Sequence, residues 1–121
     1  MATKLGSSGL LEADLIIPQG TTFACAIEHM DAEGHEIDHA GCTAYMRVID
    51  KLKTTHDLGD YIAFDGGDVL IELPPDVTTS LALGNGRYDV MIEGATGEVV
   101  RLLYGAVSVV DTYAMDERWA P

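Results

Sequence analysis

The stretch YIAFDGGDVLIELPP, residues 61–75, decides the fold class. Tyr61–Phe64 is a short strand-like run. Asp65-Gly66-Gly67-Asp68 is a strong hairpin signal, because glycine accepts the positive φ that tight turns between paired strands need. Val69, Ile71 and Leu73 then share one face at period two. Pro74-Pro75 closes the run, since proline has no N–H to give to a ladder.

The same pattern recurs in both directions. Ala13–Ile17 is a strand closed by Pro18-Gln19-Gly20, and Thr22–Met30 puts Phe23, Cys25 and Ile27 on one face. In Thr43–Lys51 the core face is Cys42, Ala44, Met46 and Val48, the choice that leaves Arg47 in water. Arg87–Glu93 carries Tyr88, Val90 and Ile92 together, and Val99–Val110 is a long last strand, bent or bulged at Gly105. Asp76–Leu81 fits one helical turn, with Leu81 and Leu83 plugging an open end. No segment repeats apolar residues at helical spacing for three turns. The expected architecture is all-β: an immunoglobulin-like antiparallel β-sandwich of about seven to nine strands. Tyr88 enters its strand just after the corner Leu83–Gly86, where such sandwiches place a tyrosine whose hydroxyl bonds back to the corner's backbone. Residues 13–113 form the single domain, with a flexible N-terminal arm at 1–12 and a C-terminal tail at 114–121.

Composition narrows the function. The 121 residues include 7 basic and 20 acidic side chains, a net charge of −13. Such a surface repels phosphates and anionic lipid heads, which argues against nucleic acid or membrane as partner. The N-terminus has no apolar signal core and no apolar run is long enough to span a bilayer. Without an export signal, Cys25 and Cys42 are expected as free, buried thiols in a reducing cytoplasm.

The chemistry-bearing cluster is HMDAEGHEIDHAG, residues 29–41, with His29, His35 and His39 among four carboxylates. His35 and His39 would share a face of a helix and could hold zinc there. Gly34 and Gly41 bracket the segment, however, and Ile37 is its one large apolar residue, so a helix has little to bury. In an extended chain residues four apart lie about 13 Å apart, at roughly 3.3 Å per residue, too far for one ion. The expectation is a solvated loop with surface histidines and no bound metal or cofactor. Asp65–Asp68 lacks the oxygen series of a calcium loop. Cys25, Cys42, Ser80 and Ser108 lie in no nucleophile context, so no catalytic residue is assigned and the chain is read as a non-enzyme. Arg118 and Trp119, in a tail the core does not need, are of the types that anchor interfaces. With His35 and His39 on the loop tip they are the candidate partner contacts.

Taken together, several of these segments resemble small β-sandwich proteins of tailed bacteriophages. They are Asp14–Phe23 (DLIIPQGTTF), Ile37–Arg47 (IDHAGCTAYMR), Leu70–Thr78 (LIELPPDVT), Gly86–Val90 (GRYDV) and Val100–Val109 (VRLLYGAVSV). The match runs in order from residue 14 to residue 110. It departs at His39-Ala40, where Leu-Thr is common, in the acidic histidine loop, and in the AMDERWAP tail. The resemblance implies a virion structural protein of the minor tail, tail-tip, baseplate or fibre-associated kind, closest to those of actinobacteriophages. Such a protein would be present in symmetric copies, contact other tail proteins and be assembled in the bacterial host cytoplasm. Its residues 31–36 would be the variable tip of a scaffold. A second reading is a carbohydrate- or host-receptor-binding module, and a third a head-to-tail or capsid-associated protein. The second needs an exposed aromatic platform, and Tyr45, Tyr61, Tyr104 and Tyr113 are scattered along the chain.

Overall fold

The computed structural model describes residues 11–112 and the backbone of residues 3–7. Ten strands and one short helix follow in order: β1 (Thr3–Ser7), β2 (Leu11–Glu12), β3 (Leu15–Pro18), β4 (Phe23–His29), β5 (Thr43–Ile49), β6 (Thr55–Asp57), β7 (Ile62–Asp65), β8 (Asp68–Leu73), α1 (Pro75–Ser80), β9 (Gly84–Glu93) and β10 (Val99–Val110). They form two sheets. The smaller is β1-β4-β8-β7; the larger is β2-β10-β9-β5-β6, with β3 also on β10. Their facing sides make one core, in which Ile17, Ile27, Val48, Val69, Val90 and Val107 are fully buried. The fold is the expected all-β sandwich.

The hairpin in residues 61–75 forms as read, with Asp65 paired to Asp68 and Val69, Ile71 and Leu73 facing in. The face chosen for β5 is also correct: Met46 and Val48 are buried and Arg47 is exposed. Other expectations change. Three pairings are parallel, β1 on β4 and both β2 and β3 on β10. Part of the stretch assigned to an N-terminal arm is therefore paired, at residues 3–7 and 11–12. The irregularity in β10 lies between Arg101 and Leu103, not at Gly105. The extra residue lets both Leu102 and Leu103 point inward, which strict alternation forbids. Leu81 plugs its end of the core beside Val77, whereas Leu83 stays exposed.

Gly105 has a different role. A Cβ there would sit 2.2 Å from Ala13 O, so glycine is what allows the break between β2 and β3 to lie against β10. The Tyr88 hydroxyl donates to that same carbonyl at 2.5 Å. The tyrosine thus bonds across to the first strands, not to its own corner. The backbone N–H of Ala13 donates to Tyr104 O, and that of Ala106 to the Asp14 carboxylate.

Candidate functional site

The histidine-rich segment closes one end of the sandwich. β4 alternates inward at Phe23, Cys25 and Ile27, and the next inward position is His29. The chain then doubles back. The Asp31 carboxylate accepts the N–H groups of Glu33 and His35, both at 2.9 Å, and Gly34 takes φ 83°. Met30 bridges Glu36, and Ile37 N–H donates to His29 O. A second cap follows, with Asp38 accepting from Ala40 N–H and Gly41 at φ 76°. Between the two caps the His39 ring turns inward.

His29 and His39 are accordingly buried, at 7% and 5% exposure. This corrects the expectation of surface histidines; His35 alone of the three stays exposed, 3.7 Å from Asp31. His29 Nδ1 lies 3.0 Å from His39 Nε2, and His39 Nδ1 lies 2.9 Å from Gly66 O. A carbonyl can only accept, so His39 Nδ1 carries a hydrogen. With His39 neutral, its Nε2 accepts and His29 Nδ1 donates. His39 also stacks on Phe64, with ring centroids 4.6 Å apart and planes 11° apart. Burial pushes the His29 imidazole below its ordinary pKa, and the neighbouring His39 adds electrostatically. The three rings and the Gly66 carbonyl fasten the loop to the β7–β8 turn. His29, Ile37, Cys42, Ile92, Ala95 and Val100 line a cleft of about 290 Å³ beside them.

At the other end of β5 lies a polar cluster that the sequence reading missed. Asp50 is buried and accepts from Leu52 N–H, Thr54 N–H, Ala82 N–H and His56 Nε2, the last at 2.8 Å. Burial alone would raise its carboxyl pKa. The His56 contact and the three backbone donors outweigh that and hold it below the usual value. Asp followed two and four residues later by loop positions was the available signal.

Among the described residues no three His, Cys, Asp or Glu side chains are grouped to hold a metal ion. Cys25 is buried and Cys42 half-buried, both as free thiols, and burial pushes the Cys25 thiol up. No described helix is long and apolar enough to cross a membrane. Arg118 and Trp119 lie outside the described residues.

Among solved structures, the chain is similar to the N-terminal domain of phage TP901-1 ORF48. The identity is 10%, the TM-score 0.49, and the match covers 89% of this chain and 95% of that one. No protein-family model and no curated protein matches the chain.

Proposed function

We propose that this chain is a non-enzymatic structural subunit of a bacteriophage virion, in the tail tip, baseplate or fibre attachment, and that it works through contacts with neighbouring tail proteins in a multi-copy assembly. The sequence resemblance across residues 14–110 supports the virion setting. The geometric observation that carries the binding mode is the margin of the larger sheet. β3 pairs with β10 on one side, and among the described residues no strand pairs on its other side. Ile16 on that margin is 66% exposed, and Val110 is exposed diagonally across the pair. An open strand edge flanked by apolar side chains is a template for pairing with another chain. The last strand, β10, is interior to its sheet, so the edge role falls to β3. Arg118, Trp119 and His35 complete the proposed contacts; the buried His39 ring supports the loop from beneath.

Mass spectrometry of purified virions tests the setting, with this chain expected as a stoichiometric component. An Ile16→Glu variant tests the edge. It should melt with the parent and fail to enter particles. Absence of the chain from virions, or full incorporation of the variant, would overturn the corresponding half of the reading.

A further inference from the structure

The solvent face of the larger sheet gathers residues that are far apart in sequence. Tyr45 pairs with Met91, which pairs with Arg101 on β10. In the next row Asp57, Arg47, Asp89 and Tyr104 follow one another across β6, β5, β9 and β10. Tyr45 and Tyr104 thus share one surface. Alongside β5 lies the 3-10 turn Gly59–Tyr61, which carries the chain from β6 to β7 of the other sheet and is anchored by Leu58 N–H donating to Met46 O at 2.7 Å. A Cβ at Gly59 would lie 2.8 Å from Ala44 O, so glycine lets the turn lie hard against β5. A groove of about 660 Å³ lies on this face beside the turn, lined by Tyr45, Arg47, Asp57, Asp60, Asp89 and Met91. That volume lies within the roughly 300–1,000 Å³ typical of ligand sites.

We propose that this groove binds an uncharged oligosaccharide, a role separate from the structural one above. A sugar ring offers an apolar C–H face and a rim of hydroxyls. Tyr45 is 50% exposed, and its hydroxyl donates to Glu93 at 2.8 Å, so the ring is held in place on a solvent-facing surface. The polar groups are also held before any ligand arrives. Arg47 Nε bonds Asp57 at 2.8 Å, Arg101 Nε lies 3.5 Å from Asp89, and the Arg101 guanidinium stacks 4.3 Å over Tyr104. Arg47 has five N–H donors and each carboxylate about four acceptor sites, so donors and acceptors remain on both sides for vicinal hydroxyls. Prior ordering lowers the entropy cost of binding.

Charge selects among ligand classes. Asp57 and Asp89 each already face an arginine, and Glu93 accepts from the Tyr45 hydroxyl. Of the groove's carboxylates Asp60 is therefore left to attract a cationic peptide, which a single such charge holds weakly. An anionic sugar meets a chain of net charge −13. A neutral polyol meets neither obstacle.

The test uses the full chain on a printed array of neutral oligosaccharides built from hexoses, 6-deoxyhexoses and N-acetylhexosamines. An amide-resolved NMR titration with a retained glycan follows. Retention is expected, with shifts at Tyr45, Arg47 and Met91. Tyr45→Ala should weaken binding about tenfold or more, and Tyr45→Phe, which keeps the ring, much less. All three proteins should share one melting temperature, because Tyr45 lies outside the core. No retention on the array overturns the proposal. So does retention that survives both Tyr45→Ala and Arg47→Met, or capture only of a Lys/Arg-rich control peptide that salt abolishes.

Discussion

Replacing His39 by alanine would remove three things together: the ring on Phe64, the acceptor for His29 Nδ1, and the donor to Gly66 O. A buried donor left unpaired costs about 1–3 kcal/mol, and the lost ring contact adds to it. His39→Ala should therefore lower the urea midpoint by at least that equivalent without changing the slope of the transition. An unchanged midpoint would mean that the stack contributes nothing. His29 makes the same site pH-sensitive. Unfolded, it titrates near 6.5; folded, its pKa is lower. Between the two values the unfolded chain holds more protons, so its contribution is complete above about pH 6.5 and is lost as pH falls through the folded value. Asp50, also depressed, follows the same sign in a lower window that opens near the ordinary carboxylate pKa of about 4. Unfolding free energies of the parent should decline from about pH 6.5 downward, and His29→Asn, which keeps a donor near the Nδ1 position, should flatten the upper part of that decline. The inward facing of His29 follows from its parity with Phe23, Cys25 and Ile27 and was legible in the sequence. That of His39 was not, because it depends on two carboxylate caps and on Gly41, none of which has a periodic signature.

At the scale of elements, β10 organises the larger sheet. It takes β9 antiparallel on one side and β2 and β3 parallel on the other. Gly105 and Tyr88 fix where β2 breaks from β3, since both meet Ala13 O. Gly105→Ala would force a Cβ into backbone that has little room to retreat. It should destabilise by about 1–3 kcal/mol, as overpacking does, and amides of residues 13–17 should exchange faster than those of β8. Equal exchange in the two regions would put the strain elsewhere. β4, β5, β7, β8, β9 and β10 were all visible as alternating runs between turn residues. β2 and β6, two and three residues long, carry too few positions for a pattern. The bulge before Leu103 was hidden because Leu102 and Leu103 read equally well on either face until β9 sets the register.

For the whole molecule, the described core is built from the facing sides of the two sheets, while polar and aromatic side chains are gathered on the outer faces and loop ends. Removing residues 114–121, with Arg118 and Trp119, should leave the melting temperature unchanged and reduce entry into particles. A drop in melting temperature would instead assign the tail to the fold. Polar side chains divide along the same line. Asp50 and His56 tie the turn after β5 to Ala82, and His29 and His39 tie the opposite loop to Gly66. Arg47, Asp57, Asp89 and Arg101 stand on the solvent face with capacity to spare. Period-two alternation and turn residues determined by themselves that the chain is a two-sheet sandwich, because burial of one strand face is a local rule that each segment states alone. Which tyrosines share a face, which histidines go inside and which strand is left at the margin were decided only by tertiary structure. Those outcomes depend on register between strands remote in sequence, and register is set when both sheets close on one core.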